Sequence, residues 1–457
     1  MSGEYAYIEC VLCPPPPQPK YSFFCRIGAD RVSQAEQPGL SAAQVLTLFM
    51  KFRDISATFY IFLAALAARL IYVVFFFGLS PVPDPDSVDY LNYATNLLAG
   101  HGYTDGQWRA FRAPGYPFFI AAVYYIFGQS IPALKIAQVI LGSLVPVLVY
   151  LIGTRVTTKK AAVLSGFFAC FYFGFVIEPV RVLSEATFTF LFALSILLLL
   201  DTQKHKAYAA AAGAAVALTA LTRPVGLLMT PLAAVWLLLS FPPRKALKLI
   251  TLGLIAFVAV MSPWWIRNYR TFGVFVPVCV ETGFVLQGTR VPLELRNTNE
   301  NLPEIERDRK SVKEGIAYLK TQSIGTHLKA GVLTLAEFLY PFMPEYDLTY
   351  ALIFPLWLFG VFFVLRSKNI QALPLFFMFL YFPVAFVFCG TARHRHSMGP
   401  YFILLAAIGA EEIARRVKEK GSRRAAWSAA GAWAALNLAI LIYSEPLRLL
   451  LKRLLGR

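Results

Sequence analysis

Along most of the chain, apolar residues run in blocks of about 17 to 25 positions, long enough for a helix to cross a hydrocarbon core. The blocks show no period-two alternation, and backbone groups in lipid must be satisfied within each segment, so they read as helices rather than outer-membrane strands. Spans are expected at roughly 54–80, 131–153, 161–178, 185–201, 207–222, 225–241, 246–266, 350–366, 370–389, 397–413 and 425–443, about eleven in all. The fold class that follows is an all-α polytopic membrane protein.

Three polar interruptions break this pattern. The first, 81–117, carries Asp84, Asp86, Asp89, Asp105, Arg109, Arg112 and His101 in a mostly apolar chain. Asp84 followed by Pro85 fits an N-cap and first helical position, because proline lacks the N–H that would be orphaned there. The helix is expected to run to about Leu98 and to stop at Gly100, which accepts a left-handed cap. Asp86, Asp89, Tyr90 and Tyr93 then share one face. Two readings fit that face: the acids cap and solvate a loop helix, or they hold a sugar or a hydroxyl acceptor. The second interruption, 267–349, contains a charged helical segment (300–320) and an amphipathic piece (327–342) containing Glu337. The latter, like the short stretch 115–127, is expected to lie along the interface rather than cross it. The third is the basic turn 391–398.

Charge sets the orientation. Lys159, Lys160, Lys204, Lys206, Arg244, Lys245, Lys248, Arg366, Lys368 and the run 415–424 fall in loops on one side, together with Lys51 and Arg53 before the first span. The positive-inside rule places that side and the N-terminus in the cytoplasm, and the three interruptions outside. The net charge of +17 in a chain that is 57% hydrophobic therefore reflects loop bias and anionic lipid, with no nucleic-acid partner expected. Compact loops favour a plasma (inner) membrane. Residues 1–50 read as a disordered tail, and Met50, just before the basic lead into the first span, is an alternative start. Residues 444–457 form a basic amphipathic tail that this topology leaves outside, against the charge rule. Cys170 and Cys389 fall in spans, Cys279 in a loop, and Cys10, Cys13 and Cys25 in the tail, which gives no disulfide framework. Arg69 stands inside the first span and must face protein or a cavity.

Asp86-Ser-Val-Asp-Tyr90, Gly100-His-Gly102 and Arg112-Ala-Pro-Gly-Tyr-Pro117 occur in the first outer loop. They are followed in order by Ser184-Glu185 at the head of a span, Leu221-Thr-Arg-Pro224, Ser262-Pro-Trp-Trp-Ile-Arg-Asn-Tyr269 and Phe272-Gly273. Over 54–410 this order resembles the GT-C fold glycosyltransferases of the protein O-mannosyltransferase and lipid A aminoarabinose transferase superfamily. The resemblance implies transfer of a sugar from a polyprenyl monophosphate carrier to a protein, lipid or envelope-glycan hydroxyl at the outer face. It also implies a catalytic base at Asp86. Ser87 stands where members often carry Glu, so any role of a second carboxylate falls to Asp89 or Glu185.

The chemistry asks for a carboxylate to take the acceptor's proton and cations to stabilise the departing phosphate. Arg109, Arg112, Arg267, Arg270, Arg393 and Arg395 are the phosphate candidates, with His394 and His396 as further donors. Asp84, Asp89, Tyr90, His101, Glu185 and Asn268 are assigned to the substrate cavity. No cofactor is expected; the alternative is a divalent ion on Asp84, Asp86 and His101. The rival function is a transporter or flippase, against which stands the lack of a half-to-half repeat.

Overall fold

The computed structural model describes residues 42–79, 85–296, 301–339, 346–387, 392–446 and 449. The chain divides into two units, Met1–Lys51 and Phe52–Arg457. Of the first, only the backbone of 42–51 is described; it is helical, so the last residues expected in the tail instead begin the helix Ala42–Tyr72. Ala42, Ala43, Gln44 and Leu46 are good helix formers, which accounts for that start. Cys10, Cys13 and Cys25 lie outside the described residues, as does most of 444–457.

Among the described residues the regular structure is helical. Helix occupies each of the eleven stretches expected to span, but the elements are more broken than the hydropathy implies. Five helices are long and apolar enough to cross: Ala57–Phe77, Ile131–Val156, Pro243–Phe272, Leu348–Ser367 and Arg423–Ile442. A sixth crossing follows if Lys159–Phe171 and Phe173–Val180, bent by 54°, act as one. The bend has a local cause, since Tyr172 leaves the helical region at φ −62, ψ 123. Glu185–Asp201 and Ala207–Thr222, at 17 and 16 residues, reach only about 24–26 Å at 1.5 Å per residue. Pro374 sits within a tighter 3₁₀ stretch over Ile370–Leu380.

Close backbone approach holds these helices together. A Cβ on Gly360 of Leu348–Ser367 would lie 1.9 Å from the Leu405 carbonyl of Gly399–Glu419. One on Gly409 would lie 2.1 Å from the Leu356 carbonyl, and one on Gly213 2.0 Å from the Gly253 carbonyl. Only glycine permits such contacts, the usual basis of helix association where lipid removes a hydrophobic drive. Gly360→Ala is expected to cost about 1–3 kcal/mol, as overpacking does, read as a lowered unfolding temperature in detergent. Arg69 is fully buried, as its position in a span requires, and its Nη1 donates to the Ala65 carbonyl at 2.7 Å.

The first interruption folds as expected over most of its length. Pro85–Leu98 and Gly115–Phe127 are helices packed on each other. Gly100 takes φ +80, and the His101 N–H returns to the Asn96 carbonyl at 3.0 Å. The second interruption forms Thr282–Arg290, Glu304–Thr321 and Ile324–Leu339. It clasps the first: Val280 N–H donates to the Ala110 carbonyl at 2.8 Å, and Glu304 accepts the N–H groups of Arg109 and Ala110 at 2.7 and 2.8 Å.

Candidate active site

The helix Pro85–Leu98 sets the site. Its inward face buries Tyr90 and Tyr93, so the phenols that share a face with Asp86 and Asp89 serve packing. Tyr90 meets Tyr116 edge-on at 4.9 Å and donates to Ser184 Oγ at 3.4 Å; Tyr93 stacks on Tyr103 at 4.4 Å and accepts the Phe111 N–H at 3.2 Å. The two carboxylates, at the edge of that face, stay partly exposed and meet Arg112. Its Nη2 donates to Asp86 Oδ1 at 2.6 Å and to Asp89 Oδ2 at 2.7 Å, while Nε donates to Asp89 Oδ2 at 3.0 Å.

Two more arginines extend this pair into a chain of charges. Arg393 Nη1 donates to Asp86 Oδ2 at 2.8 Å, and its Nε donates to Glu185 Oε1. Arg223 Nη1 donates to the same Glu185 oxygen at 2.6 Å. Asp89, Arg112, Asp86, Arg393, Glu185 and Arg223 thus form one alternating line, with Glu185 at 0% exposure as its buried end. Removing a carboxylate from water is costly unless it is paired, and two guanidiniums meet that cost at Glu185. Burial raises the Asp86 pKa, but Arg112 and Arg393 outweigh burial and hold it below the ordinary carboxylate value. His394, beside this line, is pushed down to about 3 by burial and then by Arg223. It is therefore neutral at neutral pH.

The other candidates lie elsewhere. Arg267 Nη2 donates to the Tyr103 carbonyl at 2.8 Å, Nη1 to Asn268 Oδ1 at 2.9 Å, and its guanidinium lies 4.9 Å over Trp264. Asn268 is fully buried and donates to the Val276 carbonyl at 3.1 Å; Trp264 and Trp265 donate to the carbonyls of Val278 and Pro277. Residues 262–269 thus pin the following segment against the first loop, a structural contact in place of the cavity lining expected of Asn268. Arg395 is fully buried, with Nη2 3.4 Å from Asp347 and the guanidinium 4.2 Å over Tyr350. His396 meets Glu178 at 2.7 Å. Arg109 and Arg270 are exposed. His101 faces Asn96 at 3.2 Å, and Asn96 is about 15 Å from Asp86 along the helix axis. That distance removes His101 from any ion shared with Asp86, and Asp84 lies outside the described residues.

Three acidic or basic groups matter here that the sequence had not placed. Arg223 had a signal, the Leu221-Thr-Arg-Pro224 string, but no partner. Glu304, which holds the backbone of the first loop, belonged to a segment read only as charged helix. Glu281 carries no local pattern; it stands with Oε2 3.9 Å from Arg112 Nη1. Glu304→Ala leaves the buried N–H of Ala110 and the half-buried N–H of Arg109 without their acceptor, a loss of about 1–3 kcal/mol. It is expected to expose 104–112 to limited proteolysis.

Residues 111–266, which include Arg112, Glu185 and Arg223, match the family profile described as dolichyl-phosphate-mannose-protein mannosyltransferase. Among solved structures, the chain is similar to the Archaeoglobus fulgidus oligosaccharyltransferase. The form tethered to an acceptor peptide containing the NVT sequon matches at TM-score 0.51 and 16% identity, covering 87% of this chain and 55% of that one. The zinc and sulfate complex matches at TM-score 0.51 and 14% identity, covering 85% and 51%. The chain has the GT-C fold. It is also similar to ArnT from Cupriavidus metallidurans bound to undecaprenyl phosphate, at TM-score 0.46 and 15% identity, covering 90% and 73%. This GT-C chain spans about half the length of the oligosaccharyltransferase structures it matches, 55% of each of the first three. No curated protein matches it by sequence.

Proposed function

We propose that the protein moves a sugar from a polyprenyl-phosphate donor to an acceptor hydroxyl at the outer face of the plasma membrane, with Asp86 as general base. The observation that carries this reading is the bracketing of Asp86 by two guanidiniums, Arg112 at 2.6 Å and Arg393 at 2.8 Å. A base and the cations for a departing phosphate are thereby held within one hydrogen-bonded unit. The mannosyltransferase family match over 111–266 supports the donor class. The hydroxyl oxygen would attack the anomeric carbon while Asp86 takes its proton. Arg112 and Arg393 would shift from carboxylate to phosphate as negative charge collects on the leaving oxygen. Neutral His394 adds one N–H donor without adding charge. Arg223 and Glu185 act behind Arg393, fixing its direction.

The test is turnover of undecaprenyl-phosphate mannose and dolichyl-phosphate mannose by the protein in nanodiscs, read as labelled mannose released to water or transferred to a serine- or threonine-containing peptide. Cleavage of the sugar–phosphate bond supports the reading. Movement of intact donor between leaflets without cleavage would instead make the protein a flippase.

A further inference from the structure

We propose that His396 is a positioning residue for Arg393. Held by Glu178, it fixes the turn that carries Arg393 while the guanidinium moves from Asp86 to the donor phosphate, a role that rests on the transfer reading above. Arg393 and His396 lie three positions apart in the five-residue helix Ala392–His396, so their side chains leave the same side of it. Both meet the outer segment 178–185. His396 Nδ1 lies 2.7 Å from Glu178 Oε1, and Arg393 Nε donates to Glu185 Oε1. A helix of so few residues cannot repay the cost of its own nucleation. Its place is therefore set by what grips it, and on this side it is gripped at two points.

The reaction asks different things of the two grips. Arg393 gives up Asp86 as charge collects on the leaving oxygen, so its contacts rearrange within the step. The His396 contact takes no part in that exchange. Its neighbours are Glu178, Asp347 at 3.8 Å from Nε2, the Phe173 ring edge-on at 6.3 Å, and the backbone of Gly174. A Cβ on Gly174 would stand 2.7 Å from His396 Cγ, so the imidazole fits only because position 174 has no side chain. Glu178 and His396 are both buried, and a buried carboxylate is costly without its partner, which keeps the contact closed. Arg395 holds the same turn from another side, with Nη2 3.4 Å from Asp347 Oδ2 and Nη1 donating to the Phe338 carbonyl at 3.3 Å.

Without the His396 contact, the side of the turn that faces 178–185 is anchored only by the charges that the reaction rearranges. The Arg393 guanidinium then meets the phosphate off its line, and a misplacement of about 1 Å costs on the order of 10²-fold in rate. The charge still attracts the donor in the ground state, so the loss falls on kcat and leaves donor KM nearly unchanged.

The experiment measures kcat and donor KM for undecaprenyl-phosphate mannose in nanodiscs, with wild type, His396→Leu, His396→Asn, Arg393→Gln and the double variant His396→Leu/Arg393→Gln. Expected for His396→Leu is a kcat about 10²-fold below wild type with donor KM within about twofold. His396→Asn, whose amide nitrogen stands near the place of Nδ1, should recover most of the rate. The double variant should be no slower than Arg393→Gln alone, because no guanidinium is left to place. Should His396→Leu not fold, Glu178→Ala breaks the same contact and runs the same cycle, since it only enlarges a small cavity that Glu178 borders with Gly142, Gly174 and Thr189. Losses that multiply in the double variant overturn the positioning role, as does a His396→Asn protein no faster than the broken variant. A wild type inert toward every mannose donor overturns the transfer reading itself and the positioning role with it, an outcome distinct from both.

Discussion

Asp86→Asn is expected to lower sugar transfer by about 10²–10⁴-fold, the usual worth of a general base, while the protein still folds and inserts. The fold should survive because neither arginine loses its last partner: Arg112 keeps Asp89 at 2.7 Å, and Arg393 keeps Glu185. The substitution preserves shape and removes one negative charge from between two guanidiniums. Donor phosphate competes with that carboxylate for the same N–H groups, so donor KM should hold steady or fall as kcat collapses. A mutation that only loosened the site would raise KM instead. Single-turnover rates at saturating donor, with KM measured separately, distinguish the two. An Asp86→Asn protein that keeps more than a tenth of wild-type kcat would remove Asp86 from the role of base.

Local structure is largely legible in the sequence. The helix start at Pro85, the stop at Gly100 and the interfacial-length helix Gly115–Phe127 follow from proline, glycine and spacing alone, because those signals act within a few residues. Pairing across the chain was not legible in the same way. Asp86 meets Arg393 across 307 positions and Glu185 meets Arg393 across 208, and no periodicity carries that information. Six arginines had equal claims on the phosphate; tertiary packing separates them, sending Arg267 to Tyr103 and Arg395 to Asp347. Helix continuity poses the opposite problem. Hydropathy registers an apolar run whether or not the backbone bends, so the break at Tyr172 was invisible to it. Glu281 shows the remaining limit, since an isolated acid in a long loop gains meaning only from what folds against it.

Arg393→Gln is expected to reduce transfer by about 10²–10³-fold, the cost of removing one well-placed donor to developing charge. Its effect on stability should be smaller than the loss of a partner at a buried charge usually implies. Glu185, at 0% exposure, remains paired with Arg223 at 2.6 Å, so the expected cost is about 1–3 kcal/mol, that of an unsatisfied polar group rather than of an orphaned ion. Arg393→Lys should recover only part of the rate, because a single ammonium cannot span Asp86 and Glu185 as Nη1 and Nε do. The sharper measurement is a double-mutant cycle with Arg112→Gln. If both guanidiniums turn to one phosphate, the second substitution costs far less than the first, since a half-emptied anion site has little left to lose. Independent, additive losses would mean that the two arginines serve different partners, and the phosphate would then have to be placed elsewhere on this face of the fold.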